Sequence, residues 1–102
     1  MNIEPLHYFL LSAALFSLGL GTVLTRRNAV LVLMGIEIML NAAGINLAGF
    51  ARQDPERMGG TVFVVFLIVI AAAATAVGLA IILQVYDKYS TIQVDEIQEL
   101  KD

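Results

Sequence analysis

Three long apolar blocks, separated by short polar turns, organise this chain. They cover about residues 6–24, 29–50 and 61–86. Each block is long enough to cross a bilayer, which takes about 20 apolar residues in a helix. Because backbone polar groups in lipid must be satisfied within the segment, we predict an all-α membrane protein with three transmembrane helices. The whole chain, residues 1–102, then forms a single integral membrane domain.

Polar residues mark the predicted helix ends. Pro5 suits the start of the first helix, and Arg26 and Arg27 end its apolar run. Asn28 is a candidate N-cap for the second helix, because its side-chain oxygen can accept from a free backbone N–H group. Residues 51–60 are predicted to form a polar loop before the third helix.

The final segment, residues 87–102, is acidic and is predicted to form a cytoplasmic tail. Val94, Ile97 and Leu100 recur in it about one turn apart. This spacing is typical of a short amphipathic helix. A frayed end remains the alternative, and we favour a segment docked at the surface.

Small residues recur along the spans at spacings that place them on one helix face. Such faces let membrane helices approach closely. They include Ser12 and Gly19 in the first span, Gly35, Ala42 and Gly49 in the second, and Ala71, Thr75 and Gly78 in the third. The pattern predicts a tight bundle in which the first and third helices enclose the second.

Basic residues near the span ends predict the orientation, because they are enriched on the cytoplasmic side. One side carries Arg26, Arg27, Lys88 and Lys101, and the other carries Arg52 and Arg57 beside acids. We therefore expect the N-terminus outside, with the Arg-Arg turn and the C-terminus in the cytoplasm.

Composition narrows the function further. The chain is 59% hydrophobic and 15% charged, with a net charge of −3, which argues against nucleic acid as a partner. It has no cysteine and a single histidine, His7, so thiol chemistry and multi-histidine metal sites are excluded. Three thin spans build little core, so the expected partners are lipid and other hydrophobic subunits. We expect no cofactor, no metal and no covalent catalysis in this chain.

Glu37 is the leading functional candidate, because it is the only ionisable residue in the block 29–50. A charged side chain at the centre of a bilayer costs about 3 kcal/mol on insertion scales, and such residues usually handle ions or protons. A buried carboxyl without a basic partner tends to stay neutral, whereas a lysine or arginine from another subunit would favour its charged form. Alternation between these states would make Glu37 a proton relay. The alternative is a structural hydrogen bond.

Three further residues could support Glu37. Asn41 lies four positions later on the same helix face and could bond Glu37 or hold a water against it. Its spacing alone favours an ordinary interhelical hydrogen bond. Arg26 and Arg27 could pair with carboxylates of a partner, but the sequence favours topology anchors that contact lipid head groups.

Residues 35–42, which read Gly-Ile-Glu-Ile-Met-Leu-Asn-Ala, follow Arg26-Arg27-Asn28 at close range. Together with the small-residue run 71–80 and the tail 94–100, they resemble the subunit K family of proton-pumping NADH:quinone oxidoreductase, respiratory complex I. The resemblance covers nearly the whole chain. The glutamate-centred motif and the arginine pair are its most specific parts.

The resemblance implies an integral subunit of the membrane arm, packed between the quinone-site module and the antiporter-like subunits. It implies that Glu37 belongs to a chain of buried carboxylates and waters that links quinone chemistry to proton transfer. It also implies that Arg26 and Arg27 matter in the cytoplasmic turn. NADH, flavin, iron–sulfur clusters and quinone would be bound by other subunits. The expected location is a bacterial plasma membrane, although organellar relatives share these features.

One position departs from the family. A second membrane glutamate usually lies four residues before the glycine that matches Gly78, and here that position is Ala74. No other acid occurs between residues 61 and 86. A carboxylate of a neighbouring subunit, a bridging water or a different coupling route would have to replace it.

Two other functions follow from the same features. The chain could be a purely structural subunit that assembles its neighbours, with Glu37 inert, and the missing second glutamate favours this alternative. It could also be the homologous small subunit of a multisubunit cation/proton antiporter. A rotor-ring subunit of an ATP synthase fits less well. In those subunits the ion-binding carboxylate lies in the helix after the polar loop, whereas Glu37 lies in the helix before the loop.

Overall fold

The computed structural model describes residues 4–53, 56 and 59–101, with the backbone alone from residue 98 onwards. It contains four helices in the described residues: α1 (Pro5–Thr25), α2 (Ala29–Gln53), α3 (Gly59–Tyr89) and α4 (Val94–Lys101). The first three are long and apolar enough to cross a membrane. The predicted all-α architecture with three candidate spans is therefore confirmed.

The helices extend beyond the predicted apolar blocks, and two expectations are corrected. Residues 51–53 and 59–60, expected in the polar loop, belong to α2 and α3. Residues 87–89, expected in the tail, continue α3. Hydrophobicity indicates which residues can lie in lipid. A helix can continue beyond them through polar residues with a high helix propensity, such as Arg52 and Gln53. Helix α3 ends where Ser90 adopts the left-handed conformation, with φ 59°.

Local hydrogen bonds fix the start of α1. Pro5 is a first-turn residue, where its missing N–H group is not needed. The backbone N–H of Glu4 donates to His7 Nδ1 at 2.9 Å, so one ring nitrogen of the single histidine caps the helix. His7 therefore has a structural role here.

Asn28 caps α2 as predicted. Its Oδ1 accepts from the backbone N–H groups of Val30 at 2.9 Å and Leu31 at 3.4 Å. These groups have no carbonyl partner within the first turn of a helix, so the side chain supplies one.

Replacing Asn28 with alanine is expected to loosen the first turn of α2. Loss of an N-cap costs about 1 kcal/mol, which corresponds to about fivefold faster exchange of the first-turn amides if they exchange by local opening. Hydrogen–deuterium exchange at Val30 and Leu31 measures this. Asn28→Asp keeps a capping oxygen and should exchange at the parent rate, and equal rates for alanine and aspartate would contradict the capping role.

Helices α1 and α2 touch along their small residues. The buried residues are Ser12 and Gly19 in α1 and Gly35, Ala42 and Gly49 in α2, as the spacing predicted. The Ser12 Oγ donates to the Ala42 carbonyl oxygen at 2.7 Å within this interface. A Cβ atom at Gly19 would lie only 2.7 Å from the Gly35 carbonyl oxygen, so the two backbones are in direct contact.

Helix α3 packs on the other side of α2, so α2 is the central helix, as expected. No residue of α3 is buried in the chain alone. Its half-buried residues nevertheless form one stripe at helical spacing: Gly60, Val64, Leu67, Ala71, Thr75, Gly78, Ile82, Val85 and Tyr89. The predicted face of Ala71, Thr75 and Gly78 is thus the face that packs on α2.

The segment before α4 docks against the turn between α1 and α2. The Ala29 N–H donates to the Ile92 carbonyl at 2.9 Å, and the Val94 N–H donates to the Arg27 carbonyl at 3.1 Å. These bonds form an antiparallel bridge between Asn28 and Gln93. Residues 92–94 therefore dock on the turn and lead into the short helix α4, as favoured from the sequence, whereas the side chain of Leu100 lies outside the described residues. The Arg-Arg turn lies at the same end of the bundle.

Candidate functional site

Helices α2 and α3 run antiparallel in a constant register around Glu37. Leu33 of α2 packs on Gly78, and eleven residues later Gly44 faces Leu67 of α3, eleven residues before Gly78. The same register continues to Ala51, which meets Gly60. Counting four residues forward from Leu33 on α2 and four residues back from Gly78 on α3 therefore places Glu37 level with position 74.

Glu37 lies on the α2 face that packs on α3. It follows Leu33 by four residues and precedes Gly44 by seven, which puts all three on one stripe of the helix. The residue is half-buried. Its Oε1 is fully shielded and accepts no hydrogen bond from the described part of the chain.

A shielded carboxyl oxygen without a donor is energetically costly. Leaving a buried polar group unsatisfied costs about 1–3 kcal/mol, so native structures keep few such groups. Water or a neighbouring subunit can supply the missing donor. Glu37 is therefore suited to exchange hydrogen bonds with groups from outside this chain.

Asn41 lies one turn beyond Glu37, beside a groove between α2 and α3. The groove has a volume of about 220 Å³ and is lined by Asn41 together with Gly44, Ala48 and Ala71, among other apolar residues. Asn41 is exposed, and no hydrogen bond joins it to Glu37 among the described residues. Its amide is the polar group at this groove, so it could hold a water there, and its supporting role stays a prediction.

The arginine pair lies apart from Glu37. Asn28, which directly follows Arg27, lies nine positions before Glu37, or about 14 Å along a helix axis. Arg26 is exposed at the turn. Arg27 Nη1 lies 3.3 Å from Asp95 Oδ2, and the two side chains are 66% and 50% exposed. An exposed pair of this kind contributes less than about 1 kcal/mol.

Sequence reasoning missed Asp95 as the partner of Arg27. The two residues are 68 positions apart. The acidic character of the tail was visible in the sequence, but no spacing rule links it to the turn. The backbone bridge beside Asn28 brings them together.

At the opposite end of the bundle, Tyr8 fixes α1 on α2. Its ring packs on Gly49, where an added Cβ would lie 2.8 Å from Tyr8 Cβ. Arg52 Nη1 donates to the Tyr8 hydroxyl at 3.1 Å. The contact between Tyr8 and Arg52 was not predicted from the sequence.

Comparison with known proteins identifies a family. Residues 7–102 match the model for NADH-ubiquinone/plastoquinone oxidoreductase chain 4L. The chain is 45% identical to an NAD(P)H-quinone oxidoreductase subunit 4L of Synechocystis over 99% of both chains. It is 42% identical to an NADH-quinone oxidoreductase subunit K of Chlorobaculum parvum, covering 100% of this chain and 96% of the relative. A subunit K of Thermomicrobium roseum is 45% identical, covering 99% of this chain and 98% of the relative.

Proposed function

We propose that this chain, which belongs to the NADH-ubiquinone/plastoquinone oxidoreductase chain 4L family, helps to translocate protons during quinone reduction through Glu37. The observation that carries the proposal is the shielded Glu37 Oε1, near the middle of an apolar helix and without a donor in the described chain. A carboxyl in such a place can accept a proton from one side and release it to the other.

The family and the names of the relatives make the chain a membrane-arm subunit of complex I, of the K or 4L type. We assign it no redox chemistry of its own. NADH, flavin, iron–sulfur clusters and quinone are bound by other subunits in this proposal. The groups that this chain contributes are a carboxyl, an amide and a set of close-packing helix faces.

Each candidate residue has a defined role in this proposal. Glu37 carries the proton, and Asn41 holds a water in the groove one turn away. Arg26 and Arg27 anchor the turn at the cytoplasmic side, which places the N-terminus outside. The corresponding location is a bacterial plasma membrane, with the apolar outer faces covered by lipid and by other subunits of the arm.

The acid-free face of α3 favours a second candidate function. Ala74 lies level with Glu37, and no carboxylate occurs between residues 61 and 86. A subunit of this kind could serve assembly alone, with Glu37 as a structural hydrogen-bonding group. Its close helix contacts would then be its whole contribution.

Proton pumping by the assembled complex with Glu37→Gln separates the two functions. The relay predicts that pumping falls while the complex stays intact. The assembly function predicts normal pumping with glutamine at this position, and loss of the complex when a close contact such as Gly35 is enlarged to leucine.

A further inference from the structure

Thr75 is the residue of the α2-packing stripe of α3 that lies nearest to Glu37 in the helix register. The register of α2 and α3 places Glu37 level with position 74, next to Thr75. Of these two, Ala74 is exposed, whereas Thr75 is half-buried and belongs to the stripe that packs on α2.

The Thr75 hydroxyl is also uncommitted within the described chain. Ser17, Thr22 and Thr25 each donate to the carbonyl four residues earlier in α1, at 2.8, 3.0 and 2.7 Å. Among the described residues, no such bond is formed by Thr75. Its hydroxyl can therefore serve a partner across the helix interface.

We infer that Thr75 is a positioning residue for Glu37, and the inference rests on the proposed relay function. The Thr75 hydroxyl bonds the Glu37 carboxyl, either directly after rotation of its side chain or through one water. It gives Glu37 a partner on α3, which carries no acid between residues 61 and 86.

A hydroxyl suits this position chemically. A carboxylate only accepts hydrogen bonds, whereas a protonated carboxyl also donates one, and a hydroxyl can both donate and accept. Thr75 can therefore stay bonded to Glu37 in both protonation states. A lysine or arginine there would hold the carboxyl in its charged form and stop the relay.

Helix α1 offers a matched comparison at the same depth. Gly19 meets Gly35 and Ser12 bonds Ala42, so Ser17 lies level with Glu37 on the other side of α2. The Ser17 hydroxyl is exposed and already donates to the Ala13 carbonyl. Ser17→Ala thus removes a hydroxyl at this depth without removing a group that faces Glu37.

The test uses Thr75→Val, Thr75→Ser and Ser17→Ala in the whole complex. Infrared spectra record the carbonyl stretch of the protonated Glu37 carboxyl, identified as the band that Glu37→Gln removes. Loss of a hydrogen bond should move this band to higher frequency in Thr75→Val. Pumping per assembled complex should fall about fivefold, the effect of losing one such bond. Thr75→Ser should restore both readouts, and Ser17→Ala should leave both at parent values.

The inference is overturned if Thr75→Val has the same infrared band position and the same pumping rate as the unmodified complex. It is also overturned if Thr75→Ser does not restore the band position and the pumping rate. If either of these results is found while Glu37→Gln loses pumping, the inference about Thr75 fails but the proposed relay function of Glu37 stands. Normal pumping in Glu37→Gln instead removes the relay, and the band position still decides whether Thr75 bonds Glu37. Should valine prevent assembly, Thr75→Ala removes the same hydroxyl in a smaller side chain, and the same results apply.

Discussion

Replacing Glu37 with glutamine is expected to lower proton pumping by reconstituted vesicles about tenfold to a hundredfold. Glutamine keeps the volume and hydrogen-bonding reach of the side chain but cannot release a proton. Positioned proton-transfer groups typically contribute about 10² to 10⁴ in rate, and water in the groove beside Asn41 would retain part of the flux. Quinone reduction should fall with pumping, because coupled electron transfer slows when its protons cannot move.

The matched control for this change is Glu56→Gln. Glu56 is exposed and lies between α2 and α3 in the chain. Its replacement alters the formal net charge by the same amount and should leave pumping unchanged. A drop of similar size in both variants would mean that general charge, and not the position of Glu37, sets the rate.

Enlarging Gly19 to leucine is expected to abolish assembly of the subunit into the complex. Even one added carbon would lie 2.7 Å from the Gly35 carbonyl oxygen and 2.8 Å from Met39 Cγ. Met39 can rotate away, but the carbonyl belongs to the backbone of α2, so α1 must move outward. Such overpacking costs about 3 kcal/mol or more and opens the interface that also buries Ser12 and Ala42.

Gly21 provides the control in the same helix. A Cβ atom added there meets nothing within 4 Å in the described part of the chain. Gly21→Leu should therefore keep the contact between α1 and α2. Native gel electrophoresis of detergent-extracted membranes measures the amount of whole complex, and full assembly of Gly19→Leu would show that the close backbone contact is not required.

The sequence predicted most of the fold because apolar length and small-residue spacing act locally. An apolar run of about 20 residues has to be helical in lipid, which predicted the three spans. The seven-residue spacing of Gly35, Ala42 and Gly49 predicted the contact with α1, since only small residues let two backbones touch. Hydrophobicity did not predict where the helices end. Arg52 and Asp87 are polar and yet helical.

The candidate site was predictable only in part. An isolated carboxyl in an apolar block identified Glu37 and its helix from the sequence. The residue that faces it on α3 depends on the register, which is set by contacts such as Leu33 on Gly78 and cannot be derived from either helix alone. The pairing of Arg27 with Asp95 was hidden for the same reason, because a docked tail creates it.

Infrared difference spectroscopy of the working complex tests the central claim most directly, since it observes protonation of Glu37 itself. Spectra are recorded before and during turnover with NADH and a quinone, in the parent complex and in Glu37→Gln. The relay predicts a carboxyl band that changes during turnover in the parent and is absent from the glutamine variant. A parent spectrum in which no Glu37-dependent band changes during turnover would contradict it.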